Sequence, residues 1–283
     1  MAKILDGKVV AESIYDGIRS KALLIKKKPK LVIIMLGNNP ASLVYIKQKV
    51  AACEMLGFEY KLEHLEDSEQ LTNKDVIDII EEYNQDVSVT GMIVQMPLPD
   101  HLDKAVIIPH ISPEKDVDGL TPYSYGLTAL GVEFEKYSPC TARGVIRMLE
   151  FYDIAVTGKK VVVVGSGMIA GKPIALMLSN RKATVTICNS KTTELGAITK
   201  TADILVVAVG KARMIDAKMV KKGAVVIDVG ISRDGSEKIS GDADFENLQS
   251  VVSAISPVPG GVGKLTVACL MENLLKSASS DQI

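Results

Sequence analysis

Four consecutive valines, Val161–Val164, run straight into Gly165-Ser166-Gly167-Met168-Ile169-Ala170-Gly171, and a helix-forming stretch follows from about residue 170. An unbroken β-branched run suits a strand buried on both faces of a parallel sheet. The glycines let the backbone approach a ligand closely, and the helix N-terminus behind them offers N–H groups and partial positive charge. Glycines alone say little; between a strand and a helix they point to a dinucleotide pyrophosphate. The spacing is G-x-G-x-x-x-G, one residue longer than the commonest fingerprint. The next strand, 183–188, ends in Asn189-Ser190-Lys191-Thr192. The acid that usually holds the adenosine ribose hydroxyls belongs near here and is absent. Ser190, Lys191 and Thr192 suit a 2′-phosphate instead, which favours NADP, with NAD as the alternative. The competing reading is a solvated Lys191 with the ribose held elsewhere. Strands at 203–209 and 224–229 follow, and the turns that end them, Gly210 and Gly230-Ile231, are candidates to lie against a nicotinamide.

The first half alternates in the same way. Residues 8–27 read as an amphipathic helix with a basic end, 31–36 as a buried strand, 58–65 as an alternating strand, 73–84 as a helix and 87–95 as a strand. Thr72 and Asp75 form a capping-box pattern for that helix. Between the first two strands lies Asn38–Phe58, a helix with both ends marked. Asn39 is placed to cap it, Pro40 fits its first position and Gly57 its left-handed close. Strand-helix alternation implies parallel sheets covered by helices, with ligands beyond the carboxyl ends of the strands. Two segments leave that edge: Gly37-Asn38, leading to Tyr45 and Lys49, and Gln95-Met96-Pro97-Leu98-Pro99. Tyr45 and Lys49 are four apart and share a helix face. They are either a proton-handling pair or an ordinary packed ring beside a solvated amine. Gln95 either approaches Lys49 or is a surface amide before a rigid turn. In the connection 109–120, Asp116 and Asp118 either cap the local backbone or hold the N–H groups of a nitrogen heterocycle. Further on, 139–152 reads as a helix capped by Thr141. Pro257-Val258-Pro259-Gly260-Gly261-Val262-Gly263 opens a last helix from Lys264.

A chain of 283 residues has room for about two domains of ~150 residues. Its 47% hydrophobic and 24% charged residues are those of an ordinary globular protein. A net charge of -1 gives no general attraction to nucleic acid or anionic lipid. No apolar run approaches the ~20 residues needed to span a bilayer, and the N-terminus lacks a signal-peptide pattern. Cys53, Cys140, Cys188 and Cys269 are scattered, without a CxxC pair; they read as small buried hydrophobes in a reducing compartment, and the cytoplasm is the default. None of the three histidines, His64, His101 and His110, lies in a catalytic or metal-ligand arrangement. No metal is expected, and acid–base work falls to Lys, Tyr or carboxylates.

Taken together, seven motifs resemble the bifunctional methylenetetrahydrofolate dehydrogenase/methenyltetrahydrofolate cyclohydrolase family. They are N-P-A-S-x2-Y-x3-K at 39–49, V-Q-x-P-L-P at 94–99, P-x-K-D-V-D-G at 113–119, P-C-T-x-R-G at 139–144, V-G-x-G-x-I-x-G-K-P at 164–173, N-S-K-T at 189–192 and P-V-P-G-G-V-G at 257–263. The resemblance covers almost the whole chain. It implies a two-domain α/β protein, usually a homodimer, with a folate-binding catalytic domain over 1–115, a Rossmann-type NAD(P)-binding domain over 116–265 and a cleft between them. The C-terminal helix, 266–283, would pack back on the first domain. It further implies oxidation of 5,10-methylenetetrahydrofolate by NAD(P)+ and hydration of the methenyl product to 10-formyltetrahydrofolate. Lys49 would be the catalytic amine, Tyr45 would order the folate and Gln95 would tune the lysine. Asp118 would grip the pterin, and Pro259, Gly260 and Gly261 would line the folate site. Gly165, Ser166, Gly167, Ile169, Ser190, Lys191 and Ile231 would lie on the cofactor.

That chemistry agrees with the residues. Hydride leaves a carbon flanked by two nitrogens, so the protein mainly positions two planar ligands. Hydration then needs a proton acceptor. Lowering a lysine by ~3 pKa units corresponds to roughly 4 kcal/mol, and partial burial beside a cationic substrate acts in that direction. Ser166 and Gly167 stand where many members have Arg-Ser, Asn189 where many have His, Lys264 where a Pro is common and Met96 where a Leu is. The first two departures shift cofactor preference onto Ser190 and Lys191. Three other functions compete: a dehydrogenase without hydration, an NADP-dependent hydroxy-acid dehydrogenase using Arg143 or Arg213, and a non-catalytic cofactor sensor. Tyr45, Lys49 and Gln95 argue against the first, the lack of a suitable histidine against the second, and the set Tyr45, Lys49, Gln95 and Asp118, which would be left without a purpose, against the third.

Overall fold

Apolar strands joined by helical crossovers pair in parallel, and the computed structural model, which describes residues 1–66, 70–233 and 239–280, contains two such sheets. In chain order the strands are β1 (Lys3–Ile4), β2 (Lys30–Leu36), β3 (Glu59–Leu65), β4 (Gly91–Val94), β5 (Lys160–Val164), β6 (Thr184–Cys188), β7 (Ile204–Val207), β8 (Val225–Asp228), β9 (Ser232–Arg233), β10 (Ile239–Ser240) and β11 (Ala254–Ile255). The helices are α1 (Gly7–Ala22), α2 (Pro40–Leu56), α3 (Asn73–Gln85), α4 (Lys104–Ile107), α5 (Pro122–Leu130), α6 (Cys140–Phe151), α7 (Gly171–Asn180), α8 (Leu195–Thr199), α9 (Phe245–Leu248) and α10 (Val262–Ser280). The chain divides into two units, one of Ile14–Gly126 with Val267 onward, the other of Met1–Ser13 with Leu127–Thr266.

The unit beginning at Ile14 is built on a three-stranded parallel sheet in the order β3-β2-β4. Central β2 is buried from Leu31 to Leu36, whereas edge strand β3 is largely exposed, which accounts for the polar alternation of its sequence. Val32, Ile34 and Leu36 pack on one face with Val76, Ile80 and Tyr83 of α3, residues spaced to share a helix face. The Thr72–Asp75 capping box forms as its sequence predicts. Strand pairing begins only at Gly91, later than the expected 87–95. Ser88 N–H is taken by the Asp86 carboxylate at 2.8 Å, and Thr90 Oγ1 accepts from Lys30 N at 3.0 Å. The first bond is local and the second crosses to β2, and each puts a side-chain oxygen where a backbone carbonyl would extend the ladder. On α10, Asn273 donates to the Val117 carbonyl at 3.0 Å, and Ser277 Oγ lies 3.0 Å from the Thr90 carbonyl and 2.9 Å from that of Glu114.

The other unit carries a six-stranded parallel sheet in the order β1-β11-β8-β7-β5-β6. Val162, Val164, Leu205, Val207, Val226 and Ile255 form its core on one face. β1 pairs with β11, so the first thirteen residues join this unit although they lie within the 1–115 stretch. A two-residue strand carries too little pattern to reveal its partner. α6 starts at Cys140 with Pro139 at the cap position and no side-chain cap. Thr141, expected to cap it, sits inside the first turn with its hydroxyl 3.4 Å from that of Thr266. Among the described residues no helix is long and apolar enough to cross a membrane and no His/Cys/Asp/Glu group could hold a metal. All four cysteines are free and buried.

Candidate active site

The capping of α2 places its side chains. The Asn39 side-chain Oδ1 accepts from Ala41 N at 3.0 Å and Ser42 N at 3.2 Å, Pro40 opens the helix, and Gly57 closes it at φ 68°. So anchored, the helix presents Tyr45 and, one turn later, Lys49. Lys49 is only 7% exposed, and its Nζ donates to Gln95 Oε1 at 2.7 Å. Gln95 follows β4, where its backbone N–H bonds the Ile34 carbonyl of β2 at 2.8 Å. Its Nε2 donates to the Met96 carbonyl at 2.7 Å, and Ser42 Oγ donates to the same carbonyl at 3.1 Å. The Met96 carbonyl accepting from Nε2 and the Lys49 amine donating to Oε1 together fix which end of the amide faces the lysine. The surface-amide reading of Gln95 is thereby replaced by a buried one. Burial also raises the Tyr45 hydroxyl above its ordinary pKa, so at neutral pH it is a neutral phenol able to donate or accept a hydrogen bond.

The Lys115–Gly119 motif splits into distinct tasks. Lys115 Nζ donates to the carbonyls of Tyr83 at 2.7 Å, Asn84 at 2.8 Å and Asp86 at 2.8 Å, closing the C-terminus of α3, where a cation is favoured. The buried Asp116 carboxylate accepts from Gly119 N at 2.8 Å, Leu120 N at 3.1 Å and Thr121 N at 2.9 Å. Of the two readings open for these acids, Asp116 takes the local-capping one. Asp118 is partly buried in the same turn.

In the other unit, Gly165 takes φ 119°, and a Cβ there would overlap the Ala208 carbonyl at the end of β7. A Cβ on Gly171 would overlap the Gly165 carbonyl, whereas Gly167 faces open space. The loop is thus folded tightly back on its own strand while its crest stays open. α7 begins beneath it, and Ala170 at its cap contributes no side-chain hydrogen bond to the first-turn amides. Open backbone, a helix N-terminus and no competing cap fit a pyrophosphate. Ser166 is partly buried and Ile169 is exposed. After β6, the Asn189 side chain accepts from Lys191 N at 2.9 Å and Thr192 Oγ1 accepts from Asn189 N at 2.8 Å. This turn leaves Ser190 and Lys191 exposed, consistent with either reading of that lysine. Ile231 is exposed after β8. Pro259, Gly260 and Gly261 precede α10, with the Gly260 carbonyl accepting from Gly7 N at 2.8 Å.

The structure therefore brings Lys49, Gln95 and the Ser42 hydroxyl into one connected group. The cofactor candidates gather at the carboxyl ends of β5, β6 and β8. Three buried acids escaped the sequence reading: Glu135, which pairs with Arg181 at 3.0 Å, and Asp228 and Asp242. The available signal was Asp228 itself, an acid closing the apolar run Val225–Ile227.

Comparison with known proteins agrees with this geometry. The catalytic domain of tetrahydrofolate dehydrogenase/cyclohydrolase matches residues 5–118, and the NAD(P)-binding domain of the same family matches residues 139–282. The bifunctional protein FolD of Bacillus licheniformis is 44% identical over 280 residues, covering 98% of this chain and 97% of that protein. The crystal structure of the Campylobacter jejuni FolD methylenetetrahydrofolate dehydrogenase/cyclohydrolase superposes with a TM-score of 0.95 at 42% identity, covering 99% of this chain and 100% of that one. The Trypanosoma brucei enzyme, solved with NADP cofactor and an inhibitor, gives a TM-score of 0.94 at 32% identity, covering 99% and 98%. With both domains matched and this identity sustained over nearly its whole length, the chain belongs to the tetrahydrofolate dehydrogenase/cyclohydrolase family.

Proposed function

We propose that the protein oxidises 5,10-methylenetetrahydrofolate to 5,10-methenyltetrahydrofolate with NADP+ and then hydrates the product to 10-formyltetrahydrofolate. The observation that carries this is the buried Lys49–Gln95 pair at 2.7 Å, a proton-handling amine held by a fixed amide on a family scaffold. Gly165, Ser166, Gly167 and Ile169 hold the pyrophosphate, Ser190 and Lys191 the 2′-phosphate, and Ile231 the nicotinamide side. Bound there, the dinucleotide supplies the hydride acceptor. Asp118 grips the pterin, Pro259, Gly260 and Gly261 line the folate site, and Tyr45 orders the substrate through a phenol that burial keeps protonated. In hydration, water adds its oxygen to the methenyl carbon and gives a proton to Lys49. The hydroxyl so formed then gives up its proton as a carbonyl while the carbon's bond to N5 breaks and N5 takes a proton in its place, leaving the formyl group on N10. Gln95 keeps the amine aimed throughout. The four buried free thiols favour a reducing, cytoplasmic setting, and the family resemblance favours a homodimer.

The test is to incubate the protein with 5,10-methylenetetrahydrofolate and either NADP+ or NAD+, following reduced cofactor and methenyl product separately. Reduction with NADP+ and little methenyl build-up is expected. Reduction with NAD+ alone overturns the roles of Ser190 and Lys191. No reduction with either, in protein that still binds dinucleotide, overturns the folate assignment.

A further inference from the structure

In the unit with the six-stranded sheet, Glu135 is buried against Arg181, and two further buried carboxylates that bind backbone amides, Asp228 and Asp242, are unused by the reaction as derived so far. Asp242 is fully buried and Asp228 is 3% exposed. Asp242 accepts three successive backbone amides just beyond β7: Val209 at 2.6 Å, Gly210 at 3.0 Å and Lys211 at 2.7 Å. Asp228, the last residue of β8, accepts from Gly230 N at 3.1 Å, Asp242 N at 3.0 Å and Ala243 N at 2.8 Å. Its own N–H bonds Ser256 Oγ at 2.8 Å. Glycines fit both acids closely: a Cβ on Gly230 would overlap the Asp242 carboxyl, and one on Gly241 would overlap that of Asp228. Asp228 thus holds the backbone that carries Asp242, and Asp242 holds the turn after the neighbouring strand.

The strand order says what those turns face. β6 flanks β5 on one side, and β7 and then β8 lie on the other. In parallel sheets of this kind the pyrophosphate sits on the glycine turn and the adenosine ribose near the end of the following strand. With the pyrophosphate after β5 and the ribose after β6, the opposite half of the dinucleotide extends over the ends of β7 and β8. Those are the ends that Asp242 and Asp228 tie together.

We propose that Asp242 is a positioning residue for hydride transfer: its carboxylate, carried on backbone that Asp228 fixes, holds the turn after β7, which with the Asp228-held turn after β8 supports the nicotinamide half of the dinucleotide. This rests on the dinucleotide-dependent reading above. The replacement Asp242→Asn puts an amide N–H against a backbone N–H at one of the three bonds, loosening the turn with little change in volume.

The wild-type protein is assayed first; if it reduces neither NADP+ nor NAD+, the functional reading fails and the inference with it. Given an active wild type, Asp242→Asn is expected to lower kcat for NADP+ reduction at least tenfold. KM for NADP+ should change less than threefold, and hydration of supplied methenyltetrahydrofolate should stay within twofold. An unchanged kcat, or parallel loss of both activities, overturns the proposal. Should the variant not fold, the wild type decides by amide chemical shifts. NADP+ is expected to move the signals of Val209, Gly210, Lys211 and Gly230, and adenosine 2′,5′-bisphosphate, which lacks the nicotinamide half, is not. Equal shifts with both ligands overturn it.

Discussion

Replacing Lys49 by Met removes the amine while keeping a chain of nearly the same length. At 7% exposure the side chain has little water to stand in for the lost group. A positioned general base contributes about 10²–10⁴-fold, or roughly 3–5 kcal/mol of barrier at ~1.4 kcal/mol per decade. Hydration of methenyltetrahydrofolate by Lys49→Met is therefore expected to fall at least a hundredfold. The structural cost is smaller. Met leaves Gln95 Oε1 without its 2.7 Å donor, which costs about 1–3 kcal/mol for a buried acceptor. Removing a buried polar amine offsets part of this, so the variant should fold, with its melting point moved by a few degrees. The assay follows loss of methenyl absorbance, corrected for uncatalysed hydration, beside thermal unfolding of the same sample. During turnover with NADP+, methenyl product should accumulate. A folded Lys49→Met that hydrates at the wild-type rate would refute the assignment of the base.

Two further variants separate support from chemistry. Lys115→Met strips three carbonyls at the end of α3 of their charged donor, with hydrogen bonds to charged groups worth about 1.5–3 kcal/mol. We expect about 2 kcal/mol of destabilisation in urea unfolding with both activities retained in the folded protein; loss of activity without loss of stability contradicts the capping role. Burial pushes the Asp228 carboxyl up to about 7, overcoming the backbone N–H groups of Ala243, Asp242 and Gly230 that favour its charged form. The folded state therefore keeps a proton that the unfolded chain releases near pH 4, and this contribution to stability is lost as pH rises through 7. Glu63, Asp75, Glu81, Asp86 and Asp203 are shifted downward and are already ionised from pH 5 upward. Between pH 5 and 8 the wild type should thus lose about 3 kcal/mol relative to Asp228→Asn, at 1.36 kcal/mol per unit. Equal pH dependence of their urea midpoints contradicts the shift.

The local signals in the chain were sufficient for what they encode. Asn39, Pro40 and Gly57 bound α2 where the sequence predicts it, Thr72 and Asp75 start α3, and the valine run forms β5 before its glycine turn. Each depends on residues within one helical turn or one strand, so spacing alone carries the information. Where several residues compete for one local task the sequence was ambiguous. Thr141 had the chemistry of a cap, but the helix had already started at Cys140.

The rest depended on partners distant along the chain. Lys49 meets Gln95 across 46 positions, so only the packing of α2 beside the end of β4 could turn two open readings into one hydrogen bond. Lys115 and Asp116 are adjacent, yet one closes a helix some thirty residues earlier and the other folds the next five residues. Asp228 and Asp242 are unremarked acids until β7, β8 and the segment after β10 converge on them. The sequence by itself determined the main strands and helices and the family, because periodicity, capping and motif spacing are short-range properties. Which buried polar atom satisfies which was decided only by the tertiary structure, since each buried donor and acceptor must find a partner and the nearest one in space is seldom the nearest along the chain.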